Sequence, residues 1–174
     1  GTAAESGTQS QTITIVDAQS APTVTLAAAS SSVGEDGSNV TVTATTSPAT
    51  YADITVSLST SGTATDDTDY ALDDTITISA GSTSGTATFN PTSDSHYDAT
   101  SNESATIAIS GVGGGSATES GTHTALITIV DAESAPTLSI TTNDTSLAEG
   151  DSDATLTANL SNATYAAVTV EIIT

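Results

Sequence analysis

Residues 1–22, GTAAESGTQSQTITIVDAQSAP, return almost intact as residues 115–136, GSATESGTHTALITIVDAESAP. Gly115 stands 114 residues after Gly1, and the same offset holds without a gap to the end of the 174-residue chain. Thr50-Tyr51-Ala52 falls on Thr164-Tyr165-Ala166, and Glu35 falls on Glu149. About half of positions 1–60 match their counterparts in 115–174. An ungapped match this long is the mark of tandem repetition. The fold must therefore be a unit of 114 residues that can follow itself. The frame places the C-terminal strand of a preceding repeat in 1–21 and one complete repeat in 22–135. The N-terminal strands of a following repeat then occupy 136–174. Neither partial repeat can close a core of its own, so the chain reads as a piece of a longer one. The expected partners are neighbouring repeats, identical or similar, stacked head to tail. Strand exchange between subunits is the rival arrangement.

Within the complete repeat, short runs alternate apolar and polar residues. They are Val24-Thr25-Leu26, Val40-Thr41-Val42-Thr43, Ile54-Thr55-Val56-Ser57-Leu58, Thr75-Ile76-Thr77-Ile78, Thr86-Ala87-Thr88-Phe89, Thr106-Ile107-Ala108-Ile109 and Leu126-Ile127-Thr128-Ile129-Val130. A period of two puts one face of a strand on a core and the other in water. Gly, Ser, Asp and Pro separate the runs, and no segment carries a capped helical period. Seven strands in one repeat predict an all-β, immunoglobulin-like antiparallel β-sandwich. With aromatics at only 3%, its core rests on Val, Ile, Leu and Ala.

The charge narrows the partners. The chain holds 21 Asp and Glu and no Lys or Arg, for a formal net charge of −21. Nucleic acid is excluded, because neutralising phosphates needs basic side chains. An anionic membrane surface would repel the chain, and no apolar stretch reaches the ~20 residues of a membrane span. The absence of Cys removes disulfides and thiolate zinc sites. Carboxylates brought together without a cation repel by ~4 kcal/mol per pair at 4 Å and an effective dielectric of ~20. Hard cations, above all Ca²⁺, would relieve that repulsion; a solvating acidic surface is the other reading of the same charge.

The acids gather between strands: Gly34-Glu35-Asp36-Gly37; Ser61-Gly62-Thr63-Ala64 leading to Asp69-Tyr70; Asp94-Ser95-His96-Tyr97-Asp98 followed by Asn102-Glu103; and Asp131-Ala132-Glu133. In this order, and with Ile78-Ser79-Ala80-Gly81 before a Thr-rich strand and Ile127-Thr128-Ile129-Val130-Asp131 at the close, the repeat resembles the Calx-β family. The resemblance covers nearly the whole complete repeat. It implies Ca²⁺ at one end of the sandwich, with Glu35, Asp69, Asp94, Asp98, Glu103 and Asp131 as ligands and Glu133 as a further one. The chain departs from the family pattern where Asp94 is followed by Ser95 and Asp131 by Ala132. Those changes favour one site over several. Asp66, Asp67, Asp73 and Asp74 are assigned instead to capping turns.

Nothing in the chain assembles a catalytic group. His96 reads as a solvated loop residue, and His123 replaces Gln9 of the preceding repeat. Gly81-Ser82-Thr83-Ser84-Gly85 lacks the nucleophile-elbow spacing. Adjacent acids such as Asp66 and Asp67 do not face each other across a cleft as a glycosidase pair does. Sequons at Asn39, Asn102, Asn143, Asn159 and Asn162 make surface glycans an expectation. The sequence thus predicts a non-enzymatic, extracellular or cell-surface fibre or adhesin repeat, with calcium at its junctions. A carbohydrate- or protein-binding module of a large adhesin is the alternative.

Overall fold

A computed structural model of the chain describes residues 1–97 and 102–173. The described residues contain strands and no helix. One five-stranded sheet orders β10 (Thr118–Glu119), β1 (Thr23–Ala28), β3 (Val40–Ser47), β7 (Ser84–Pro91) and β5 (Tyr70–Ala71). The other orders β2 (Ser32–Gly34), β11 (Thr124–Val130), β9 (Glu103–Gly113), β4 (Ile54–Gly62) and β6 (Thr75–Ile78). Pairing is antiparallel except at the two edges where β10 joins β1 and β2 joins β11. The seven alternating runs of the sequence are β1, β3, β4, β6, β7, β9 and β11. The added strands β2, β5 and β10 have two or three residues each, too few to display a period.

The alternation sorts side chains as expected. Val40, Val42 and Ala44 point inward from β3, Ile54 and Val56 from β4, Ala87 and Phe89 from β7, and Ile107 and Ile127 from β9 and β11. Phe89 stacks on Tyr70 with ring centroids 4.5 Å apart. These two rings supply most of the aromatic bulk of a core otherwise made of small aliphatic residues.

The Ser61-Gly62-Thr63-Ala64 segment has a local cause. Gly62 takes φ 134°, and a Cβ there would lie 2.0 Å from the Ser104 carbonyl oxygen of β9. Thr63 Oγ1 then accepts the Ser104 N–H at 2.9 Å, and Ala64 is small enough to be buried beside it. The chain leaves β4 along the surface of β9 and turns toward Asp69 and Tyr70.

The flanking segments behave differently. Residues 1–21 carry no regular secondary structure and lie exposed; burial begins at Pro22, next to β1. Gln11–Val16, expected to form a strand, pairs with nothing here, because β11 already occupies the β9 edge. Ile15 is 93% exposed, whereas Ile129, 114 residues later, is 5% exposed. After the sandwich, β12 (Leu138–Thr142) and β13 (Leu156–Leu160) pair antiparallel, with Leu138 opposite Leu160 and Ile140 opposite Ala158. This is the β1–β3 register, Val24 opposite Thr46 and Leu26 opposite Ala44, moved along by 114 residues. The apolar faces of Leu138, Ile140 and Leu156 remain exposed. Finally, β14 (Ala163–Thr164) pairs parallel with β8 (His96–Tyr97).

Candidate metal centre

The acidic loops meet at one end of the sandwich because the strands that bear them run there in alternating directions. At that end β2 and β11 finish, β9 and β5 begin, and β7 gives way to the loop before β8. Glu35 sits on a tight turn in which the Gly37 N–H donates to the Gly34 carbonyl at 2.8 Å. A Cβ on Gly37 would lie 2.8 Å from that same oxygen, which accounts for glycine two residues after Glu35. The Glu35 N–H in turn donates to the Val130 carbonyl at 3.0 Å, so the turn is anchored beside the exit of β11.

That anchor brings Glu35 against Asp131 and Glu133. Oxygens from the three carboxylates lie within 4.8 Å of one another, and all three residues are half-buried. The Asp131 carboxylate also accepts the Glu133 N–H at 2.9 Å, which curls the chain so that both acids face the same way. Glu35 Oε1 and Glu133 Oε2 are buried without a hydrogen-bond partner. Burial, then a hydrogen bond to Glu133 and its charge, with the charge of Asp94 adding, push Glu35 up to about 7. The Ala132 backbone opposes this shift without cancelling it.

A wider cleft of about 680 Å³ opens next to this group. Glu35 and Asp131 line it, together with Asp69, Asp94 and Glu103. Asp69 is held by the Thr65 N–H, 2.6 Å from its Oδ2. Asp94 accepts the His96 N–H at 2.6 Å and, on its other oxygen, the hydroxyl of Tyr165. The Tyr165 hydroxyl and then the His96 N–H hold the Asp94 carboxyl below its ordinary range. The same bond pushes the Tyr165 phenol up to about 12.

Of the seven acids singled out in the sequence, Glu35, Asp131 and Glu133 form the tight group. Asp69, Asp94 and Glu103 stand around the adjoining cleft, and Asp98 lies outside the described residues. Asp66 and Asp67 serve the turn: the Asp66 carboxylate accepts the Asp67 N–H at 3.0 Å, and Asp67 takes a left-handed φ of 63°. Sequence reasoning missed the aromatic side of the cleft. His96, read as a solvated loop residue, is half-buried and stacks on Tyr165 at 4.9 Å between centroids. The available signal was the tetrapeptide Ala-Thr-Tyr-Ala at 49–52 and 163–166, in a chain with only four Tyr.

The donor set fits calcium. All its atoms are hard carboxylate oxygens, and Ca²⁺–oxygen distances of ~2.3–2.6 Å allow two ligands of one ion to stand up to ~5 Å apart. The group spans less than that. The two buried oxygens without donors are the atoms a cation would satisfy. Glu35, Asp131 and Glu133 would hold the ion, with Asp69, Asp94 and Glu103 within the adjoining cleft.

No family model matches the chain. No curated protein matches it in sequence. Solved structures do resemble it. The apo-form Calx CBD1 domain superposes with a TM-score of 0.53 at 16% identity, covering 64% of this chain and 99% of that one. CBD12 from CALX1.2 gives a TM-score of 0.51 at 16% identity, covering 62% of this chain and 44% of that one. A two-domain protein of unknown function from Bacteroides fragilis NCTC 9343 gives 0.42 at 10% identity, covering 75% of this chain and 59% of that one. The first two establish a Calx-β-like fold for this chain.

Proposed function

We propose that this chain is a structural repeat of a secreted or cell-surface fibre or adhesin, non-enzymatic, whose junctions are rigidified by calcium. One observation carries the reading. The acidic cleft of the sandwich is closed by residues 164–166, which by the 114-residue offset belong to the next repeat. A cation site at that position touches the place where one repeat hands over to another. Bound calcium supplies the positive charge that a chain without Lys or Arg lacks there.

The residues do the rest. Glu35 belongs to the turn after β2, and Asp131 and Glu133 belong to the exit of β11, so holding them together ties the linker to the body of the sandwich. The linker is tied on its other side as well: the Asn162 side-chain amide donates to the Ser134 carbonyl at 2.6 Å. Pro136 fixes its own φ and pushes Ala135 toward extended conformations. Without a cation, ionised Glu35 and Glu133 repel and the linker loosens.

Calorimetric titration of the chain with Ca²⁺ tests this reading. Binding in the ~10⁻⁴–10⁻³ M range common to extracellular modules is expected. Glu35→Gln and Asp131→Asn should each weaken it, and Asp66→Asn should leave it unchanged. Binding equally strong in all three variants would sink the site.

The alternative, a carbohydrate- or protein-binding module, draws on the cleft itself, whose volume falls within the ~300–1,000 Å³ of ligand sites. Tyr165 already closes this cleft, which favours the junction reading.

A further inference from the structure

Tyr165 has a twin at the opposite end of the sandwich. Residues 49–52 and 163–166 are both Ala-Thr-Tyr-Ala. The two loops are also built alike. The Thr50 hydroxyl donates to the Ala52 carbonyl at 2.5 Å, and the Thr164 hydroxyl donates to the Ala166 carbonyl at 2.6 Å. The same internal bond sets the same turn and lifts the tyrosine out of it. Tyr165 is spent on the cleft, with its hydroxyl on Asp94 and its ring on His96. Tyr51 is fully exposed. Its loop joins β3 to β4, at the end where β1 begins, because Thr23 pairs with Ser47. The cleft lies at the end where β11 finishes. The chain therefore enters each sandwich beside the tyrosine loop and leaves it beside the cleft.

We propose that the loop 49–52 is a docking knob whose partner is the acidic cleft of a second copy of this sandwich, the repeat that precedes it. The proposal rests on the tandem-fibre reading and adds the contact that sets its geometry. The neighbour's tyrosine hydroxyl binds the carboxylate at position 94, its ring lies on His96, and its loop backbone extends β8 as residues 163–164 do here. The chemistry suits a chain without basic residues, since a phenol is a neutral donor that meets a carboxylate without adding charge. One such contact at each junction applies the same rotation and translation every time, which generates a helical filament.

The test uses the full chain and a version lengthened by one more copy of residues 22–135, which places a copy of Tyr51 opposite the first cleft. In the full chain, nuclear Overhauser contacts between the His96 ring and residue 165 should persist in Tyr165→Phe, which keeps the ring. They should vanish in Tyr165→Leu, while Tyr51→Leu leaves the His96 resonances in place. In the lengthened chain, changing only the second Tyr51 copy to Leu should remove the first His96 contact and widen the spread of particle lengths in solution scattering. An elongated particle whose first His96 ignores that substitution would overturn the docking knob and leave the fibre reading standing. A compact lengthened particle would overturn both.

Discussion

Glu35 and Glu133 bring carboxylate oxygens within 4.8 Å of each other, and each keeps one buried oxygen without a hydrogen-bond partner. A proton on Glu35 or a cation between the two would relieve that cost. Which state is occupied depends on pH, and the direction can be worked out.

Burial and Glu133 raise Glu35 from 4.5 to about 7 in the folded chain. Between those two values the folded state binds more protons than the unfolded state, so this group's contribution to stability is fully present below about 4.5. It is lost as pH rises through about 7. Metal-free chain should melt at a lower temperature at pH 8 than at pH 5.5, and Glu35→Gln should flatten that slope. Asp94 has the opposite sign, since its lowered value adds stability above the ordinary carboxylate range that is lost only in stronger acid. Melting curves across pH 3–8, with chelator present, check both; a Glu35→Gln profile identical to the parent's would contradict the assignment.

Calcium bound at this group would compete with the proton for the same oxygens. Calcium affinity should consequently rise between pH 5.5 and 8, and binding at pH 6 should release protons into the buffer. Calorimetry in two buffers of different ionisation enthalpy measures that release. Identical heats in the two buffers would mean that Glu35 is not a ligand.

The scaffold makes its own prediction. Phe89 is fully buried against Tyr70, so Phe89→Ala should cost about 3–5 kcal/mol. Gly62→Ala should be destabilising by more than ~1 kcal/mol, because its Cβ would meet the Ser104 carbonyl. Tyr51→Ala, at an exposed loop, should fall within about ±0.5 kcal/mol. Denaturant titrations of the three variants separate these cases, and an inert Phe89→Ala would refute the core described here.

Glycan attachment should favour Asn39, which is exposed, over Asn162, whose amide is donated to the Ser134 carbonyl. Peptide mass mapping of natively produced material decides this, with an unmodified Asn39 peptide as the contrary result.

Much of the fold is legible in the sequence itself. The period-two runs located the long strands, because alternation follows directly from which face is buried. The strands β2, β5 and β10 were invisible, since two or three residues carry no period. The turn glycines did mark the acidic end: Gly37 and Gly62 stand where a side chain would collide with backbone. What the sequence withheld was the grouping within that end. Nothing in the spacing of Glu35, Asp94 and Asp131 says that Glu133 joins the first and third while Asp94 turns to Tyr165. That division is decided by the Glu35–Val130 backbone bond and by the β14–β8 pairing, both long-range contacts. His96 was misread for the same reason, because its stacking partner lies 69 residues away at Tyr165.

If the carboxylates at the exit of β11 hold calcium, the bound ion stabilises the folded chain. Thermal unfolding of the parent and of Asp131→Asn, each at pH 8 with millimolar calcium and with chelator, tests it most directly. Millimolar calcium is about tenfold above a dissociation constant of ~10⁻⁴ M and adds about 1.4 kcal/mol, which for a domain of this size raises the midpoint by roughly 5 °C. That rise is expected in the parent, and a much smaller one in Asp131→Asn. A parent midpoint that does not move with calcium, matched by an Asp131→Asn variant that behaves identically, would reduce these acids to a solvating surface.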